Sequence, residues 1–109
     1  MSVGIVRSVG HRLKNNYKLL FAENVSGEDF YTRYWSKAVE ETGSKLFRDN
    51  SKFEVSDLEQ VMSELKLQLA WAEANLTGYD LEYMKGRIEN LLIRIPEACK
   101  ENNEPFRIF

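Results

Sequence analysis

The stretch SDLEQVMSELKLQLAWAEANLTGYDLEYMKGRIENLLIRI, residues 56–95, decides the fold that we predict. It contains two runs in which apolar residues alternate at spacings of four and three, the pattern of a helix that packs along its length against a neighbour. The first run is Leu58, Met62, Leu65, Leu69, Ala72 and Leu76, and the second is Leu81, Met84, Ile88, Leu91 and Ile95. Because only a short turn at Thr77 separates the runs, we predict an antiparallel helical hairpin.

Helix start signals precede both runs of this hairpin. Ser56 and Glu59 have the spacing of a capping box for the first helix, and Thr77 and Asp80 repeat it for the second. Proline has no backbone N–H, so we predict that the second helix ends or kinks just before Pro96, with a short helical turn over residues 96–100.

Two further helices are predicted on the N-terminal side of the hairpin. Helical spacing of Val9, Leu13, Tyr17, Leu20 and Phe21 predicts a helix from about Ser8 to Glu23. A capping box of Ser26 and Asp29 predicts the start of the next helix, and Gly43 is its expected end because glycine adopts the left-handed conformation without steric cost.

The predicted fold is therefore all-α: an antiparallel bundle of about four helices, with a short C-terminal helical turn and an extended tail from Glu104 to Phe109. One domain spans residues 1–109, a common domain size. The chain is 43% hydrophobic and contains six Phe, five Tyr and two Trp, enough large side chains to build a core without disulfides or metals.

The sequence also limits the compartment and the chemistry. The chain has a single cysteine, Cys99, and no visible secretory or membrane segment. We therefore expect a cytoplasmic protein that does not contact a membrane.

A zinc site needs three or four His or Cys ligands, whereas the chain has one histidine, His11, and one cysteine. Its carboxylates fit helix ends and exposed surfaces, and it has no Gly-rich phosphate loop. We therefore predict no enzyme activity, no cofactor and no metal.

A protein-binding surface is the leading functional prediction. Residues 49–64 contain five acidic residues and a single basic one, Lys52. Acidic clusters of this kind attract cationic proteins. Aromatic side chains nearby in the sequence would anchor the partner. The predicted partner-binding residues are Asp57, Glu59, Glu64, Trp71, Tyr79, Asp80 and Tyr83. The hypothesis is a non-enzymatic antagonist, an immunity or antitoxin-like protein that neutralises a toxin, such as a basic one, by occluding its surface.

A second apolar line on the first hairpin helix leaves another interpretation open. Leu67, Ala70, Trp71 and Ala74 lie off the main seam, so this helix is either central in its bundle or carries an exposed contact patch. An exposed patch there would suit a homodimer.

The alternative function is a small transcriptional regulator that binds nucleic acid through a basic N-terminal helix. Residues 1–22 contain four cations and no acid, a local charge of +4, whereas the remaining 11 cations and 17 acids give −6. The four candidate cations are Arg7, Arg12, Lys14 and Lys18. A helix-turn-helix over residues 75–84 is disfavoured because Asp80 and Glu82 would repel phosphates. We rank nucleic acid below protein as a partner.

Overall fold

The computed structural model describes residues 2–10 and 16–109. Over these residues the chain forms a four-stranded antiparallel sheet and three helices. The strands are β1 (Ser2–Val9), β2 (Lys18–Gly27), β3 (Ser51–Phe53) and β4 (Phe106–Ile108). Helix α1 is continuous through Glu28–Phe30, the π-helical segment Tyr31–Trp35 and Ser36–Thr42. A 3₁₀ turn, Val55–Asp57, leads into α2 (Leu58–Asn75), and α3 is Gly78–Glu101.

The all-α prediction is wrong, and the molecule is α+β. In place of a helix from Ser8 to Glu23, β1 and β2 pair antiparallel, with Val9 opposite Lys18. Val3, Ile5 and Arg7 are buried at alternate positions of β1, the period of a strand with one face in the core. This alternation escaped the sequence analysis because its third inward residue is an arginine, which is normally exposed.

The prediction of an extended C-terminal tail is also wrong, because Phe106–Ile108 form an inner strand of the sheet. The strand order is β2-β1-β4-β3, so β4 joins the N-terminal strand to β3. Ile108 lies opposite Ile5 on one side, and Phe106 lies opposite Phe53 on the other. All four side chains are buried. Burial of alternate large residues explains why so short a segment is a strand.

Helix α1 is confirmed, with its beginning corrected. Gly43 ends it in the left-handed conformation, with φ of 69°, as the sequence predicts. The helix begins at Glu28 after Gly27, whereas the predicted cap, Ser26, is a buried residue of β2.

The helical hairpin of α2 and α3 is confirmed, since the two helices follow each other after a two-residue connection and pack together. The capping residues differ from those predicted. Asp57 and Glu54 form the capping box before α2, and the side chain of Thr77 makes no capping hydrogen bond to α3.

Helix α3 continues through Pro96 to Glu101, so the predicted end near Ile95 is wrong, although residues 96–100 are helical as predicted. Ile95 and Ala98 are buried on either side of the proline. Packing of these side chains offsets the roughly 3 kcal/mol that an interior proline costs a helix.

Candidate protein-binding site

Four aromatic rings from two helices form a continuous row, which we call the aromatic strip: Phe30 and Tyr34 of α1, and Tyr83 and Tyr79 of α3. Ring centroids are 5.1 Å apart for Phe30 and Tyr34, and 4.7 Å for Phe30 and Tyr83, both in edge-on geometry. Tyr83 and Tyr79 are stacked at 6.3 Å. Each distance lies in the favourable range for ring pairs, so the four rings support one another.

The π-helical segment of α1 positions the α1 half of the strip. Tyr31 and Trp35, four residues apart, are buried and stack with their centroids 6.3 Å apart. Phe30 and Tyr34 each precede one of these core residues and are therefore turned out of the core, where they are half-buried.

Tyr83 joins the two halves of the strip. Its hydroxyl accepts a hydrogen bond of 3.2 Å from the backbone N–H of Gly27, at the junction of β2 and α1. This bond and the contact with Phe30 fix the beginning of α3 against the beginning of α1. Tyr79, one helical turn earlier, is 77% exposed and forms the free end of the strip.

Two arginines lie over rings of the strip. The guanidinium carbon of Arg33 is 5.1 Å from the centroid of Tyr34, and Arg33 also donates a 3.3 Å hydrogen bond to the hydroxyl of that tyrosine. The guanidinium carbon of Arg87 is 5.3 Å from the centroid of Tyr83. Tyrosine and arginine are the residue types that most often dominate the binding energy of protein interfaces.

Carboxylates flank both halves of the strip. Glu28 and Asp29 directly precede Phe30, while Asp80 and Glu82 are sequence neighbours of the two α3 tyrosines. Within residues 2–10 and 16–109, none of these four acids makes an ion pair. Glu28, Asp29 and Asp80 lie in the first turn of a helix, where the helix dipole favours acids, and Glu82 follows in the next turn of α3. They nevertheless place four carboxylates that make no direct ion pair beside the strip, where they outnumber the two cations Arg33 and Arg87.

Tyr79, Asp80 and Tyr83 are therefore three predicted partner-binding residues that the structure places together. Trp71 lies on α2 and is half-buried, and its indole N–H donates a 2.7 Å hydrogen bond to Glu41 of α1.

Glu64, also predicted to bind a partner, lies in the interior. Its carboxylate accepts hydrogen bonds from the backbone N–H groups of Lys45 (3.2 Å), Leu46 (3.0 Å) and Phe47 (2.7 Å). It is 7% exposed and holds the loop after α1, so it does not face a partner.

The remaining two predicted acids lie far from the strip. Asp57 accepts a 2.9 Å hydrogen bond from the backbone N–H of Glu54, and Glu59 is exposed in the first turn of α2. Helix α2 has 18 residues, which corresponds to a length of about 27 Å. These acids therefore stand at the opposite end of α2 from the strip, and the predicted surface is divided.

The second apolar line of α2 faces solvent over most of its length. Leu67 is 53% exposed, and Ala70 and Ala74 are also exposed, so only Trp71 of this line is partly covered. Of the two interpretations that the sequence left open, burial favours an exposed patch over a central helix.

The prediction of a basic N-terminal helix, on which the alternative function depends, is wrong, because Ser8 and Val9 belong to β1 and residues 18–23 belong to β2. Arg12 and Lys14 lie outside the described residues, and Lys18 is exposed at the beginning of β2. Arg7 is only 1% exposed, so it has no access to a phosphate.

The interior position of Arg7 has a structural explanation. Its guanidinium donates hydrogen bonds to the backbone carbonyls of Ala98, Asn102 and Glu104, at and beyond the last turn of α3, and lies 4.3 Å from the ring centroid of Phe106. Burial lowers the pKa of Arg7 below its ordinary value. The side chain satisfies carbonyls that the end of a helix leaves without partners.

Sequence reasoning missed Phe30, Arg33, Tyr34 and Arg87. The available signal was weak: Phe30 and Tyr34 stand beside the core-facing line of their helix, at a spacing of four. Their contact with α3 depends on how the helices meet, which no pattern within α1 contains.

In the part of the chain that the structure describes, no three His, Cys, Asp or Glu side chains come together as metal ligands would. None of the described helices combines the length and the apolar composition needed to cross a bilayer.

Comparisons with protein-family models, with curated proteins and with solved structures find no match to this chain.

Proposed function

We propose that this chain is a non-enzymatic antagonist that binds another protein through the aromatic strip and occludes a surface of that partner. An immunity or antitoxin-like protein, which neutralises a toxin in this way, is the most concrete form of the proposal. The observation that carries it is the continuous row of four rings that ends at Tyr79, a side chain that is 77% exposed.

The strip supports tight binding because most of it is already fixed. Phe30 contacts Tyr34 on its own helix and Tyr83 on α3, so these three rings lose little side-chain freedom when a partner covers them. Covering Tyr79 removes a largely exposed ring from water, which contributes on the order of 2 kcal/mol, the scale of an interface hot spot.

The charge around the strip supports a basic partner. Glu28, Asp29, Asp80 and Glu82 make no ion pair within the described part of the chain and outnumber the two arginines of the strip, so a cationic surface would meet a net negative charge. Exposed charges of this kind mainly accelerate association, and salt screens them. A protein such as a cationic nuclease has the required surface chemistry.

The first experiment tests the surface. A partner is isolated from native cells with the tagged chain, identified and purified, and its binding kinetics are measured at low and high salt. We expect Tyr79→Ala to weaken binding about tenfold or more, the effect of losing one hot-spot ring. Association of the unaltered chain should slow as salt rises. The matched control is Ile93→Ala, since Ile93 is 63% exposed on the same helix but outside the strip. Equal affinity of the Tyr79→Ala variant and the unaltered chain would refute the proposed surface.

The second experiment tests antagonism separately. The purified partner is expressed alone and together with either the unaltered chain or the Tyr79→Ala variant at equal levels, and growth is followed. We expect the partner alone to inhibit growth, the unaltered chain to restore it and the variant to fail. A partner that is harmless alone, or that remains active in the complex, would refute the antagonist function while leaving the binding surface intact.

A further inference from the structure

A cavity of about 620 Å³ lies between the C-terminal half of α1 and the loop over residues 43–50. Its volume is in the range typical of small-molecule sites. The aromatic strip does not line it, so this cavity is a separate feature of the molecule.

One wall of the cavity carries a buried hydroxyl group. Tyr31 lines the cavity and is 8% exposed, and its hydroxyl accepts a 2.7 Å hydrogen bond from the backbone N–H of Asp49. A phenol that accepts one bond still has its own proton to donate, and the described part of the chain provides no acceptor for it. Burial raises the pKa of Tyr31 above its ordinary value of 10.0, so this proton is retained across the physiological range.

Charged side chains of both signs line the same cavity. Lys45 and Arg48 carry positive charge, and Glu40 and Asp49 carry negative charge. No ion pair joins any of the four within the described residues. The lining is thus neutral in sum, although its four charges do not pair with each other. The acids oppose a purely anionic ligand, and the cations oppose a purely cationic one.

The walls of the cavity have an unusual and well-supported backbone. Tyr31 begins the π-helical segment of α1, and such turns occur frequently at functional sites. Gly43 and Asn50 stand at the two ends of the loop with φ of 69° and 61°, both in the left-handed region. Glu64 accepts hydrogen bonds from three consecutive backbone N–H groups of this loop, so the loop is held in shape without a ligand.

We propose that this cavity binds a small zwitterion, namely a free amino acid or a dipeptide. The carboxylate of the ligand would accept hydrogen bonds from Lys45, Arg48 and the Tyr31 hydroxyl. Its ammonium group would donate to Glu40 and Asp49. A zwitterion is the ligand class that meets both signs of charge and accepts a hydrogen bond from the phenolic O–H of Tyr31.

The test is a titration of the full chain, labelled with ¹⁵N, by the dipeptide Leu-Leu. The matched probes are N-acetyl-Leu-Leu, which keeps only the negative charge, and Leu-Leu amide, which keeps only the positive charge. We expect the chemical shifts of the backbone amides of residues 43–50 to change as Leu-Leu is added and to reach saturation. Each probe that lacks one charge should bind about tenfold more weakly, the effect of one charge-assisted hydrogen bond.

Two variants complete the test. Tyr31→Phe keeps the ring and removes the donated proton, so Leu-Leu affinity should fall about tenfold. Tyr17→Phe makes the same chemical change at a residue that lies outside both the cavity lining and the aromatic strip, so it is the control and should bind like the unaltered chain. Arg48→Gln alters only an exposed side chain, so it keeps the test informative if Tyr31→Phe unfolds. Absence of saturation at millimolar Leu-Leu would overturn the proposal, as would equal affinity for N-acetyl-Leu-Leu or for inorganic phosphate.

Discussion

The guanidinium of Arg7 donates two hydrogen bonds to one backbone carbonyl, that of Glu104, from Nε at 2.9 Å and from a terminal nitrogen at 2.6 Å. The two residues are 97 positions apart in the sequence. A third bond, 2.7 Å to the carbonyl of Asn102, extends the same contact toward the end of α3. One side chain of β1 therefore holds the segment that leads from α3 into β4.

We expect Arg7→Met to lower the free energy of unfolding by about 3 kcal/mol, because one buried and two partly buried carbonyls lose their donor although the stem of the side chain is kept. Urea denaturation measures this change. Arg107→Met is the control, since Arg107 is exposed on β4, and it should change stability by less than about 0.5 kcal/mol. Similar values for the two variants would show that the buried contacts of Arg7 contribute little.

The carboxylate of Glu64 gives a second stability prediction. Glu64→Gln replaces a charged acceptor of three backbone N–H groups by a neutral amide, so we expect a loss of about 2 kcal/mol. Glu59→Gln, at an exposed position of the same helix, should be nearly neutral in the same denaturation experiment. If Glu64→Gln leaves stability unchanged, the loop does not depend on this carboxylate.

Tyr31 gives a prediction for alkaline pH. Burial raises its pKa in the folded state above the ordinary value of 10.0, so the unfolded chain loses this proton first as the pH rises. The stabilisation associated with Tyr31 is therefore fully present below pH 10 and is lost progressively as the pH rises toward the folded-state pKa. Denaturation at a series of alkaline pH values should show a shallower decline for Tyr31→Phe than for the unaltered chain. Parallel declines would contradict the raised pKa.

The exposed line of α2 predicts the solution mass. Leu67 is 53% exposed, but its neighbours on this face are mainly alanines. A stable dimer usually buries about 800 Å² on each partner, which this narrow line alone does not provide. We therefore expect light scattering to give the mass of a monomer at micromolar concentration. A dimer mass that Leu67→Glu converts to that of a monomer would instead support the homodimer predicted from the sequence.

The hairpin of α2 and α3 could be predicted because its information is local: each helix repeats its apolar residues over many turns. The pairing of β4 with β1 and β3 could not, because this inner strand is short and both of its partners are distant in sequence. β4 has three residues, and Ile108 pairs with Ile5 although almost the whole chain separates them in sequence. Arg7 also occupies an inward position of β1, where a sequence pattern reads a polar residue as exposed.

The candidate site shows the same division between local and tertiary information. Tyr79, Asp80 and Tyr83 lie within five positions of one another, and the sequence grouped them correctly on one helix. Phe30 joins them only because the hydrogen bond from Gly27 and the ring contact bring α1 to Tyr83. Asp57 and Glu59 were grouped with these residues because they are close in sequence. The length of α2 nevertheless separates the two acids from the strip in space.

The position of β4 has a consequence for synthesis on the ribosome. β3 pairs with β4 and not with β1, so a nascent chain that has not yet emerged beyond residue 105 leaves β3 without its neighbour and one side of β1 unpaired. The helical hairpin, whose contacts are closer in sequence, is free to form earlier. A chain released before Phe106 would therefore expose an open strand edge, a feature that favours aggregation and recognition by chaperones.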